Sequence, residues 1–174
     1  KVYLNALNCI PGVGYGTLKT IEESFGGDFE AGFNVSESRL GALGMRNQEI
    51  VSFLEGRKKI NPGSRWLKLK NEGIKMIVSD EPEFPKLLKQ IPAAPLFFYL
   101  RGELKKEDDF AFGIVGTRLA TGYGKETSYT IGFKLAQTGL TIVSGMAVGI
   151  DTEAHKGAIS AGGRTIAVVA SGLD

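Results

Sequence analysis

From residue 111 to residue 170 the chain alternates short apolar runs with helix-period segments, and each switch from strand to helix passes through glycines. Residues 111–115, 140–143 and 165–170 have the length and the β-branched content of buried strands. Between them, residues 125–137 carry Tyr129, Phe133 and Ala136 at helical spacing, and residues 152–161 form a second helical stretch. Strand, helix, strand, helix, strand is the opening half of a doubly wound parallel sheet, a Rossmann-like α/β fold left incomplete at three strands. Such crossovers are right-handed, so both glycine-rich turns fall at the carboxyl edge of the sheet. Open α/β sheets bind their ligands at that edge.

The first turn reads Gly116-Thr117-Arg118-Leu119-Ala120-Thr121-Gly122-Tyr123-Gly124. It is not a dinucleotide fingerprint, because Thr127 stands where the third glycine belongs. The second strand also runs into Ser144-Gly145 instead of an acidic residue for a ribose. Nor is it a Walker loop: Gly124-Lys125 is followed by Glu126, and Leu119 occupies the first glycine's place. No nicotinamide cofactor and no P-loop hydrolysis is expected, and nothing implies another cofactor. What remains still suits phosphate. Gly116, Gly122 and Gly124 allow close backbone approach, Thr117 and Thr121 offer hydroxyls, and a helix expected from Lys125 aims its first amides into the turn. Arg118 is placed to clamp a phosphate or stack on a base, the alternative being a surface salt bridge. Tyr123 either stacks on a base or packs.

The second turn, Ser144-Gly145-Met146-Ala147-Val148-Gly149-Ile150-Asp151, repeats the design of hydroxyl, glycines and helix start. Asp151 is expected at the helix N-cap, with orientation of a loop amide as the alternative. His155, the only histidine, lies four residues on and shares its helix face. It is expected beneath the loop, bonded to the loop backbone. A hydrolase triad of Ser144, His155 and Asp151 lacks the glycine two residues before the serine, since Ile142 is there. No cluster has metal-ligand spacing, and a single cysteine, Cys9, excludes an intrachain disulfide.

Residues 1–60 read as short helices and form a first domain of helix-hairpin-helix or SAM-like type, with residues 61–174 as the second domain. Leu4, Leu7 and Ile10, then Leu18, Ile21 and Phe25, recur at helical spacing around Pro11-Gly12-Val13-Gly14. A weaker echo runs through Leu40-Gly41-Ala42-Leu43-Gly44. Residues 1–56 hold four basic and seven acidic side chains, which favours a protein-contact module over a phosphate-binding one. Residues 57–75 reverse this, with seven basic side chains against Glu72 alone, so a polyanion would be attracted mainly there. Asn61-Pro62-Gly63 reads as the domain boundary. No apolar run approaches the ~18–20 residues of a membrane span, and no signal peptide opens the chain. A cytoplasmic protein without membrane partners is expected. With no initiator Met, and an end just after an apolar run, the chain reads as part of something longer.

The motifs also spell a family. Gly113-Ile114-Val115-Gly116-Thr117-Arg118, Thr121-Gly122-Tyr123-Gly124, the whole second turn with Ala154-His155, and residues 162–168 into Gly172-Leu173-Asp174 occur in one order. Together with Phe84-Pro85, Ile91-Pro92 and Leu100-Arg101-Gly102, they resemble the DNA-processing protein A (DprA/Smf) family over roughly residues 75–174. The resemblance implies an extended Rossmann-like fold and a non-enzymatic accessory role in natural transformation and recombination. Its expected partners are single-stranded DNA, the recombinase RecA and, in the full-length protein, a second copy. Arg118 and the two loops, Gly145 and Gly149 included, would line the DNA pocket. The competing expectation is a Rossmann-like hydrolase that cleaves the base from a nucleotide monophosphate. Its P-G-G-x-G-T-x-x-E motif is absent from these residues. A third reading is a protein-interaction scaffold whose loops are only tight turns.

Overall fold

The computed structural model describes residues 1–173, in two compact units, Lys1–Gly102 and Glu103–Asp174. Asp174, the last residue of the family-like wording, lies outside the described residues. Among the described residues no helix is long and apolar enough to cross a membrane.

The first unit is built on helices α1 (Val2–Asn8), α2 (Tyr15–Ser24), α3 (Phe29–Phe33), α4 (Glu37–Ala42), α5 (Asn47–Lys58) and α6 (Pro62–Asn71). An antiparallel pair, β1 (Ile74–Val78) and β2 (Phe97–Arg101), follows, with the short α7 (Lys86–Lys89) between its strands. Leu4, Leu7, Ile10, Leu18 and Ile21 are all buried, so the spacing read on either side of the first glycine turn is the core-facing spacing. Gly12 makes that turn at φ +84°, a conformation costly for residues with a Cβ.

Asn61-Pro62-Gly63 proves to be a helix start. The Asn61 side chain accepts from the Ser64 amide at 2.9 Å, and proline occupies the first helical position, where its missing N–H costs nothing. Asn-Pro-Gly has the composition of a turn, which is why it reads as a boundary. The compact units divide later, at Gly102. Residues 61–102 join the helical layer because α6 packs on α1 and β1, and Met76 and Leu96 enter the same apolar core as Leu4 and Phe53. Tyr99 ties β2 to α1 by donating to Asn5 Oδ1 at 2.7 Å, and burial pushes its phenol up to about 12. Part of the basic run is also structural. Arg57 donates to the Phe33 and Val35 carbonyls at 2.8 and 2.7 Å, closing the end of α3.

The second unit is the βαβαβ element. A 3-10 turn (Lys106–Asp109) leads into β3 (Ala111–Gly113), α8 (Gly122–Gln137), β4 (Thr141–Ser144), α9 (Ile150–Ser160) and β5 (Thr165–Ala167). The strands are parallel and in sequential order, with Phe112 opposite Ile142 and Val143 opposite Ile166. Right-handed crossovers in one direction carry both helices to the same face of the sheet. There they meet through small residues. A Cβ on Gly132 would sit 2.6 Å from the Ala154 carbonyl oxygen, and one on Gly157 would overlap that of Tyr129. Ala154 and Ala158 are fully buried in the seam, beside Ile142 and Ile114. The charged loop before β3 is anchored too: Arg164 donates to both Asp108 oxygens and Thr141 to one of them. Burial works against the Asp108 carboxylate, but these bonds and the Lys105 amide outweigh it and hold the group below its usual range.

Candidate functional site

The two glycine-rich turns stand side by side at the carboxyl edge of β3 and β4. The Ile150 amide donates to the Thr117 carbonyl at 3.3 Å. Gly149 adopts φ +93° with no room for a Cβ, which would overlap the Thr117 oxygen and lie 2.8 Å from that of Arg118. A Cβ on Gly116 would lie 2.7 Å from the Ile150 side chain. The first turn is therefore seated on the start of α9, and glycine at 116 and 149 makes the close approach possible.

Asp151 is not an N-cap. Gly149 holds that position, while Asp151 lies in the first turn of α9 with its side chain pointing between the loops. One carboxylate oxygen accepts the Gly116 amide at 3.2 Å and the other the Gly145 amide at 3.1 Å. A single buried side chain thus pins the first residue of both turns. The second turn is closed further by Thr152, whose hydroxyl donates to the Ala147 carbonyl at 2.7 Å, and Ser128 reaches from α8 to the Ile150 carbonyl at 2.8 Å. Thr152 and Ser128 were not singled out by sequence reasoning. Nothing short of the tertiary arrangement marks them, because both look like ordinary helical residues.

The remaining candidates divide between the exposed edge and the layer beneath. Thr117 caps its own turn by accepting from the Leu119 amide at 3.1 Å, and it stays exposed. Thr121 is the N-cap of α8, accepting from the Gly124 amide at 3.1 Å. That helix therefore starts at Gly122, ahead of the expected Lys125, and Gly122, Tyr123 and Gly124 form its first turn. Arg118 is exposed, and no hydrogen bond or ion pair engages its side chain among the described residues. Tyr123 is 79% exposed, so it does not pack. Ser144, by contrast, is the last residue of β4. It is 2% exposed and donates its hydroxyl proton to the Ile114 carbonyl at 2.6 Å. Read as a surface hydroxyl of the loop, it proves to be an interstrand clamp, because strand alternation turns position 144 toward the helices.

His155 lies beneath the loops as expected, but its bond is to a side chain. The Thr165 hydroxyl donates to the Ile142 carbonyl, so it accepts from His155 Nδ1–H at 2.7 Å. That leaves Nε2 unprotonated and without a partner in the interior. Burial pushes the imidazole below its usual value, opposed by the nearby Asp151 charge and the Ser144 carbonyl. Ser144, Asp151 and His155 do not form a relay, since each is bonded elsewhere. Among the described residues no three His, Cys, Asp or Glu side chains come together as a metal site.

A family model described as DNA recombination-mediator protein A matches residues 75–174. The chain belongs to that family. The match begins at β1 and covers β2 and the whole βαβαβ element with both loops. Protein Smf of Synechocystis sp. is 33% identical over 182 residues, covering 100% of this chain and 45% of the relative. DNA processing protein DprA of Bacillus subtilis is 36% identical over 140 residues, covering 80% of this chain and 45% of the relative. The chain therefore spans about half the length of these curated relatives. The X-ray structure of DNA processing protein A from Streptococcus pneumoniae superposes with a TM-score of 0.75 at 25% identity, covering 100% of this chain and 59% of that one.

Proposed function

We propose that this member of the DNA recombination-mediator protein A family binds single-stranded DNA at the carboxyl edge of its parallel sheet, as a non-enzymatic accessory of recombination. The observation that carries the reading is Arg118. It is the only cation in the two loops, exposed and unengaged, on a turn that Asp151 and Gly149 lock in place. A guanidinium held on a rigid backbone is preorganised for a phosphate oxygen pair or the face of a base. The family supports the nucleic-acid direction, and the names of the relatives carry DNA processing. The finer role completes the proposal: the whole protein, as a homodimer in the cytoplasm, protects strands taken up in natural transformation and hands them to RecA.

The test compares single strand, duplex and mononucleotide by fluorescence anisotropy, with Arg118→Ala alongside. Arg118→Ala is expected to weaken single-strand binding by about 1.5–3 kcal/mol, the range for hydrogen bonds to a charged group. Affinity is expected to fall with salt at a log–log slope of ~0.7 per phosphate neutralised. Unchanged affinity of the variant at moderate salt would remove Arg118 from the interface. Release of free base from a nucleotide monophosphate would favour the hydrolase reading instead.

A further inference from the structure

We propose that this edge takes unpaired nucleobases, stacked on Tyr123 and Met146, and refuses phosphate at the tip of the sheet; the inference rests on the single-strand reading above. The two amides that a phosphate at the tip would use, those of Gly116 and Gly145, both donate to Asp151. An anion there meets a carboxylate and two occupied donors. That arrangement is the reverse of an anion-binding nest, where successive amides point at the ligand.

The side chains that stand out from the two loops are apolar. Leu119 is 92% exposed, Tyr123 79%, Val148 67% and Met146 64%. Met146 carries a further signal. It is the only non-glycine residue at positive φ among the described residues, at +56°. Glycine would hold that turn without strain, so the backbone cost is borne by a residue with a long, polarisable side chain directed outward. Strain kept beside a ligand edge, on a residue whose only distinctive asset is its thioether, points to contact with a flat apolar surface.

The charge pattern selects the occupant. With one cation, Arg118, above a buried carboxylate, the edge suits a ligand that is apolar at the tip and anionic beside it. Unpaired bases strung on a phosphate backbone have that form. A duplex does not, because its base faces are covered by their neighbours. Stacking on aromatic and similar side chains is also tolerant of sequence, as a handler of arbitrary strands requires.

The experiment compares a thymidine single strand with an abasic strand of equal length and equal charge, by anisotropy at one salt concentration. The abasic strand is expected to bind at least about tenfold more weakly, since one stacked base is worth about that much. Tyr123→Ala and Met146→Gly are expected to narrow the gap between the two strands. Met146→Gly is the more informative variant, because it relaxes the backbone and is expected to melt no lower than the parent. Equal affinity for both strands would overturn the base-stacking inference and leave the single-strand reading standing. No binding to either strand would refute that reading, and this inference with it.

Discussion

Gly149→Ala tests the claim that the two loops are held as one rigid edge. At φ +93° and ψ −127° the residue lies in territory that only glycine fills freely. An alanine there carries strain near the top of the ~1–3 kcal/mol range for sparsely populated conformations. The added methyl would also overlap the Thr117 carbonyl oxygen and lie 2.8 Å from the Arg118 oxygen and 3.0 Å from its carbonyl carbon. These are backbone atoms that cannot rotate away, so overpacking adds about 1–3 kcal/mol. The sum, about 4–6 kcal/mol, rivals the whole stability of a small domain. Gly139→Ala is the control. It has a similar φ of +88° but no heavy atom within 4 Å of the new methyl, so it should cost only the conformational part, about 1–2 kcal/mol. Unfolding in urea is best followed by hydrogen exchange of α8 and α9 amides, because the single tryptophan, Trp66, reports on the other unit. Equal costs for the two variants would refute the steric argument and, with it, the interlocking of the loops.

Two further outcomes follow from the same geometry. Asp151→Asn leaves one acceptor oxygen where two are used, so either the Gly116 or the Gly145 amide loses its partner. A loss of about 1–3 kcal/mol is expected, with faster exchange of one of those two amides; unchanged protection of both would show that the carboxylate does not pin the loops. His155, the only histidine, is held below its usual value by burial. The unfolded chain therefore takes up this proton first as pH falls below about 6.5, and stability should drop through that window until the folded ring also protonates. His155→Leu should flatten the pH dependence between about pH 7 and 5, and an unaltered slope in that variant would assign it to other groups.

Much of the fold is local information. Strand runs at 111, 140 and 165, helices between them and the first two helices of the other unit follow from periods of two and 3.6, which any short window of sequence displays. The glycine turns and their position at the carboxyl edge follow as well, because handedness leaves only one arrangement. Element starts were less legible. Asn61-Pro62 and Thr121-Gly122 have turn composition but serve as helix caps, and composition does not separate the two uses.

The working edge shows the same division. Its location, its glycines and Arg118 are written in the sequence, since the residue types and their spacing alone make a loop that backbone can approach closely. What each polar group does there was decided only by the tertiary structure. Asp151 could have capped its own helix; instead it reaches the amides of Gly116 and Gly145, one of them 35 positions away. Ser144 could have faced a ligand; pairing with β3 turned it inward to the Ile114 carbonyl. A hydrogen-bond partner distant in the chain leaves no periodic trace, so the sequence determined where the edge lies, and the packing of α9 under both loops determined that its tip carries a carboxylate and its rim apolar side chains.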